Sequence, residues 1–383
     1  MSVTAARGFR ASGVAAGLKS SGGLDVALVV NDGPSSAAAA VFTGNRCKAN
    51  PVLWSQEAIK SGSARAVVLN SGGANCYTGP EGFIITHDTA ETVAEGLGVG
   101  AVDVQVCSTG LIGLLNDRDD LLSGVHAALE SLDADGGQAA AEAIMTTDSV
   151  SKQSTVIREG YTVGGMAKGA GMLAPALATM LVVITTDAVL EPGQADAALR
   201  AATRATFDRL DSDGCQSTND TVLLMASGAS GQTPDPDEFA EALRGVCHDL
   251  AMQLLADAEG ADHEITIDVV NAANEDDAVA VGRSIARSNL FKCAIFGKDP
   301  NWGRVLASVG TTDAAFDPAD LDVALNDVWV CRNSGLGESP DAVSLEERAV
   351  TVTVDLKAGD VRGSVWTNDL THAYVHENSA YSS

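Results

Sequence analysis

Apolar, β-branched runs alternate along the chain with stretches whose apolar residues recur every three or four positions, the pattern of helices packed on sheets. Strands are predicted at Leu24–Val30, Arg65–Asn70, Val102–Ser108, Met180–Thr185, Glu264–Val270, Leu321–Val330, Arg348–Leu356 and Gly363–Thr367. In Glu264–Val270 the residues Ile265, Ile267 and Val269 alternate strictly, which gives that strand one buried face. The clearest helix is Pro236–Glu259, with Phe239, Leu243, Val246, Cys247, Leu250 and Leu254 on one stripe. Asp235 supplies its N-cap, Pro236 its first turn and Gly260 its stop. Asp119–Leu132 repeats the logic with Leu121, Leu122, Val125, Leu129 and Leu132, and a third helix runs from about Gly193 to Leu210. The spacing contains no internal repeat, and Gly231–Pro236 is the best candidate for a joint between lobes.

Composition narrows the class. The chain has 383 residues, 45% of them apolar and 20% charged, enough for a large core and two or three lobes. Fifty-one acidic residues against 24 basic ones leave a net charge of −27. Such a surface repels phosphate backbones and anionic lipid, so neither nucleic acid nor membrane is an expected partner. Seven widely spaced cysteines without a C-x-x-C pair argue for reduced thiols, and Arg7, Arg10 and Lys19 interrupt the N-terminus where a secretion signal would be apolar. A cytoplasmic protein is expected.

Common chemical motifs fail on inspection. Gly96-Leu97-Gly98-Val99-Gly100-Ala101 matches a relaxed nucleotide-binding pattern, yet it follows a helical segment and precedes a strand, the reverse of what pyrophosphate requires, and reads as a helix stop. Lys168-Gly169 lacks the Ser or Thr that a phosphate loop places after its Lys. His372 and His376 could share a helix face but have no Glu beside the first, and the Asp211, Asp213 and Asp220 cluster carries its Gly at the wrong step for a calcium loop. No G-x-S-x-G elbow occurs.

The segment Gly164–Asp187, GGMAKGAGMLAPALATMLVVITTD, joins a glycine-rich loop with one Lys to a small-residue stretch entering a buried strand at Thr179. Spacing alone makes Thr179 an ordinary β-branched residue. Motifs over the whole chain add more: GFRASGVAAGLK, ALVVNDGPSSAAAAVFTGNRCKANPV, LNSGGANCYTG, CSTGLIG, MTTD, AKGAGMLAPALATML, ITTDA, FDRLDSDGCQSTNDT, AEGA, GKDPNWGR and AYVHENSAYSS. In that order they resemble the ornithine acetyltransferase family, also called glutamate N-acetyltransferase, of arginine biosynthesis.

The resemblance implies an α+β fold, a DmpA-like αββα sandwich with a smaller α/β lobe. It also implies self-cleavage between Ala178 and Thr179, giving residues 1–178 as an alpha chain and 179–383 as a beta chain whose C-terminal lobe begins at about 236. Thr179 becomes an N-terminal nucleophile whose α-amine, with a reference pKa of about 7.7–8.0, serves as general base. Acetyl passes from N2-acetylornithine to Thr179 and on to glutamate, with no cofactor or metal required because one amide is exchanged for another. Thr109 and Gly110 form the oxyanion hole, and Thr147, Lys168, Thr179, Glu259, Asn378 and Ser383 bind substrate. Lys168 offers a cation for a carboxylate and Glu259 an anion for an ammonium. A heterotetramer of two copies of each fragment is the implied assembly.

By pattern alone, Glu259 is the solvated end of its helix and Asn378 and Ser383 a frayed tail, so binding by these residues requires the tail to fold back. Asn219, Asp220, Asn301, Trp302 and Arg304 match family signatures and are assigned structural support. The chain departs from the pattern at Asp262-His263, where a Thr-Lys pair is usual, at Pro175-Ala176-Leu177, and at Cys76-Tyr77 and Cys215-Gln216. Members that also take acetyl-CoA as donor share the same motifs, which leaves that activity open. Two other functions fit the residues: an amidase or aminopeptidase of the same fold that passes its acyl group to water, and an uncleaved amino-acid-binding protein.

Overall fold

The computed structural model describes residues 2–174 and 180–380, so Ala178, Thr179 and Ser383 lie outside the described residues. The element order of the first 260 residues produces four layers. One sheet holds, in spatial order, Phe9–Val14, Val26–Asn31, Ala66–Asn70 and Val104–Ser108, of which only the last pair is parallel. A second holds Ala38–Phe42, Thr221–Ala226, Leu181–Thr186, Tyr161–Lys168 and Lys152–Arg158.

Strand pleating explains the layering. In Val26–Asn31 the side chains of Val26, Leu28 and Val30 join Ile85, Val93, Leu121 and Val125 of the helices Gly79–Leu97 and Arg118–Glu130. Ala27 and Val29 point the other way, into a core shared with Met166, Leu181, Val183, Leu223 and Met225 of the second sheet. The outer face of that sheet, through Val163, Val182, Ile184, Val222 and Leu224, packs on helices Pro192–Ala205 and Pro236–Ala256. Strands buried on both faces read as unbroken apolar runs, which is why they carry no alternation in the sequence. The result is the expected αββα sandwich.

The remaining residues form a separate core. Its six-stranded sheet runs Gly335–Leu336, Val328–Arg332, Asp322–Leu325, Ala349–Asp355, Glu264–Ala272 and Val361–Asn368. Ile265, Ile267 and Val269 face Val281, Ile285, Phe291 and Val309 of the covering helices, as their alternation predicts. This core starts at Ile265, whereas helix Pro236–Ala256 belongs to the sandwich. A boundary at 236 therefore moves past the helix, because its apolar stripe matches the second sheet. Among the described residues, no helix is long and apolar enough to cross a membrane.

Three local expectations change. Leu321–Val330 is a hairpin, since Asn326 and Asp327 adopt φ of 45° and 66° and reverse the chain between Asp322–Leu325 and Val328–Arg332. Gly164 and Gly165 are strand residues of Tyr161–Lys168, so the glycine-rich loop is shorter than the composition suggests. The helix predicted to reach Glu259 ends at Ala256.

Replacing Leu254, fully buried in the sandwich core, by Ala is expected to cost about 2–5 kcal/mol. Leu336→Ala, at a site 89% exposed, should stay within about 0.5 kcal/mol. Urea midpoints at unchanged slope measure both.

Candidate active site

Both sheets of the sandwich end against one cavity of about 530 Å³. Thr109, Gly110, Thr147, Lys168, Glu259 and Asn378 all line it, although they are spread over 270 positions of the sequence from 109 to 378. Ala178, Thr179 and Ser383 are outside the described residues.

Thr109 and Gly110 follow strand Val104–Ser108, whose parallel neighbour Ala66–Asn70 runs into Ser71 and Gly72 on the same wall. The two turns are tied: Thr109 N–H donates to Asn70 O at 2.9 Å, and Ala74 N–H donates to Leu111 O at 3.1 Å. Gly110 takes φ of 123°, and a Cβ there would stand 2.9 Å from Gly72 O, so only glycine fits this approach. Asn219 fastens the wall from behind, its Nδ2 donating to Ala74 O and Ser108 O, each at 2.7 Å. That is the supporting role assigned to it from sequence.

Lys168 ends strand Tyr161–Lys168 and is 1% exposed. Its Nζ donates to Thr146 Oγ1 at 2.7 Å and to Thr109 Oγ1 at 3.2 Å. A Thr109 hydroxyl that accepts from an ammonium keeps its own proton to donate. Asp148 Oδ2 lies 3.9 Å from Lys168 Nζ, while Asp148 Oδ1 accepts from Lys152 Nζ at 2.6 Å and from Gly169 N–H at 2.6 Å. Lys152, itself buried, donates onward to Asp257 Oδ2 at 2.6 Å. Burial lowers the pKa of Lys168, opposed by the charge of Asp148. For Asp148, burial works upward but is outweighed by Lys168, Lys152 and the Gly169 N–H, and the carboxyl sits below its ordinary value of 3.8. Lys168 and Asp148 therefore sustain each other's charge out of water.

Glu259 is a buried residue, 8% exposed, and not a solvated helix end. Its N–H donates to Ala170 O at 3.0 Å, bringing the carboxylate within 2.8 Å of where a Cβ on Gly171 would sit. A side chain at position 171 would therefore displace the Glu259 carboxylate from its place on the cavity wall. Asn378 arrives on helix His372–Ala380, so the tail does fold back. The start of that helix is held by Thr371, whose Oγ1 bonds Gly260 O and accepts Tyr374 N–H at 2.9 Å.

Gly171 and Met172 also line the cavity, and the chain on either side of residues 175–179 is fixed. Leu173 N–H donates to Asp213 Oδ2 at 3.2 Å, and Met180 N–H donates to Asp220 Oδ1 at 3.0 Å. Burial raises Asp220 well above the usual carboxylate range. Thr146, Asp148 and Lys19 join the wall or its support without having been singled out from sequence. All three stand inside quoted motifs, MTTD and GFRASGVAAGLK, and motif membership was the available signal.

Of the departures from the family pattern, Pro175-Ala176-Leu177 lies outside the described residues, and Asp262-His263, Cys76-Tyr77 and Cys215-Gln216 do not line the cavity. His263 turns into the smaller lobe, its Nδ1 2.6 Å from Asp369 Oδ2 and its Nε2 3.2 Å from Leu345 O. Tyr77 Oη donates to Cys47 Sγ at 2.9 Å at the surface. Asn301 caps helix Trp302–Val309 and Arg304 bonds Leu290 O at 2.6 Å, both in support of the smaller lobe.

The model of the ArgJ family matches residues 10–383. The arginine biosynthesis bifunctional protein ArgJ of Streptomyces coelicolor is 65% identical over 383 residues, with 100% of each chain covered. Its counterpart in Thermobifida fusca is 63% identical over 382 residues, again with 100% of each chain covered. A solved structure, the ornithine acetyltransferase of Mycobacterium tuberculosis complexed with ornithine, is 55% identical; the match covers 47% of this chain and 96% of that chain, with a TM-score of 0.45.

Asp148→Asn leaves Lys152 and Lys168 buried without their shared carboxylate and is expected to cost about 3–5 kcal/mol in denaturant unfolding. The pH dependence has a definite sign. Because the native carboxyl is held below 3.8, its contribution is complete above the unfolded value and is lost as pH falls through the native one. The variant should therefore show a flatter acid limb of stability; an unchanged limb and midpoint would contradict the pairing.

Proposed function

The chain belongs to the ArgJ family of arginine biosynthesis, and from that membership we propose that it is an ornithine acetyltransferase working by double displacement on Thr179. The observation that carries the reading is the single cavity in which Lys168 and Glu259 stand as opposite charges beside Thr109 and Gly110. A free amino acid, with a carboxylate and an ammonium, matches such a wall.

In the maturation step, the Thr179 hydroxyl attacks the Ala178 carbonyl carbon, the C–N bond breaks, and the amide nitrogen becomes the Thr179 amine. Water then cleaves the resulting ester and releases the 1–178 fragment. In turnover, Thr179 Oγ attacks the acetyl carbonyl of N2-acetylornithine while the Thr179 amine takes the hydroxyl proton and passes it to the departing ornithine nitrogen. The neutral amine of glutamate next attacks the acetyl ester. A C–N bond forms, the C–O bond to Thr179 breaks, and the amine proton returns to Oγ.

Thr109 Oγ and Gly110 N–H are assigned to the negative charge that develops on the acetyl oxygen in both halves. One such donor is worth about 3–4 kcal/mol of transition-state stabilisation. The Lys168 contact supports this, since it leaves the Thr109 proton available. Lys168 is assigned to the substrate carboxylate, Glu259 to the ammonium, and Thr147, Asn378 and Ser383 to the remaining polar groups. The proposal includes a cytoplasmic location, an assembly of two alpha and two beta fragments, and acetyl-CoA as a second donor, checked by an assay in which it is the only one.

Denaturing electrophoresis with N-terminal sequencing tests maturation: a fragment beginning at Thr179 is expected, and Thr179→Ala should leave one uncut chain with transfer at background. Acetate release that does not depend on glutamate would reassign the enzyme to the hydrolases of the same fold.

A further inference from the structure

The proposed reaction sets an electrostatic problem that the residues assigned so far do not solve. N2-acetylornithine presents one carboxylate and one side-chain ammonium, matched by Lys168 and Glu259. Glutamate, in its reactive form with a neutral amine, presents two carboxylates and no cation. One lysine and one glutamate in the cavity leave the second carboxylate facing an anion.

The cavity contains another cation. Lys19 lines it, together with Leu18, Ser20 and Ser21, on the loop between strands Phe9–Val14 and Val26–Asn31. The loop is built around a buried carboxylate: Asp25 accepts from the N–H groups of Ala16 at 2.6 Å, Leu18 at 2.7 Å and Lys19 at 3.1 Å. Asp25 O also accepts from Ser71 N–H at 3.0 Å, on the same cavity wall. Leu18 packs so closely on Gly72 that a Cβ there would lie 2.5 Å from the Leu18 Cβ. Lys19 is therefore held in place by its backbone, and its Nζ donates to Leu24 O at 2.7 Å. An ammonium has three protons, and one suffices for that bond. Burial lowers the pKa of Lys19, Asp25 raises it, and the charge of Lys168 lowers it again, so the two lysines act on each other within one cavity.

We propose that Lys19 is a specificity-determining residue that binds the side-chain carboxylate of the acceptor glutamate, so that one cavity serves two substrates of opposite side-chain charge. This rests on the acetyl-transfer reading given above. Lys168 serves the carboxylate common to both amino acids, Glu259 serves the donor's ammonium, and Lys19 serves the acceptor alone. A selective site of this kind works by the difference it makes between two ligands.

Two assays separate this inference from the reading beneath it. Exchange of labelled ornithine into N2-acetylornithine without glutamate reports the first half-reaction; acetylation of glutamate and of glutamine, its neutral counterpart, reports the second. Lys19→Met should lower kcat/KM for glutamate by about 10- to 100-fold, the range of one charge-assisted hydrogen bond. Glutamine acetylation and ornithine exchange should each change by less than about 3-fold, and Lys19→Arg should restore most of the preference for glutamate. Preference for glutamate retained in Lys19→Met, or an equal loss in exchange and transfer, overturns the role of Lys19 and leaves acetyl transfer standing. No ornithine exchange in the unaltered protein would instead remove the two-step reading, and the Lys19 assignment with it.

Discussion

The cavity depends on a lysine buried beside a carboxylate, out of water. Lys168 is buried at the end of a strand, where an isolated cation would lose its proton or unfold its surroundings. Asp148 opposes both, and is itself shared with Lys152, which is shared with Asp257. The chain of charges crosses from the second sheet to the end of helix Pro236–Ala256, so it also fixes the turn that delivers Glu259. Pairs of this kind add little net stability compared with apolar packing. Their value here is positional: the amine of Lys168 is held at the cavity wall beside a carboxylate.

The sandwich supplies the geometry for this arrangement. Parallel strands Ala66–Asn70 and Val104–Ser108 end at one level, and their following turns form one side of the cavity. Strand Tyr161–Lys168 of the facing sheet ends on the other side, with Lys168 reaching across to Thr109. Residues from the two sheets meet because the sheets share an apolar core and terminate together. The smaller lobe then contributes the tail helix, held at its first turn by the Gly260 and Thr371 contact. Fragments on both sides of the proposed cut thus build one site, and the fold holds them together by core packing.

The pattern of apolar residues determined much of the architecture: unbroken apolar runs mark doubly buried strands such as Val26–Asn31 and Leu181–Thr186, strict alternation at Ile265, Ile267 and Val269 marks a strand with one buried face, and helical spacing marks the long capped helix. The strands it missed include Phe9–Val14, Ala38–Phe42, Lys152–Arg158, Tyr161–Lys168 and Thr221–Ala226; several of these are rich in Ala, Gly and Ser, whose intrinsic strand preference is low. They are strands because neighbouring strands and the second sheet leave no other place for them. Motif resemblance nominated Thr109, Gly110, Thr147, Lys168, Glu259 and Asn378, but with no means of bringing them together. Only the tertiary structure decided that Glu259 is buried against Gly171, that the tail returns to the cavity, and that Lys19 and Asp148 belong with Lys168. The reason is physical: periodicity records which face of an element is dry, whereas burial of a charge depends on partners distant in sequence that pair with it only after the sheets have packed.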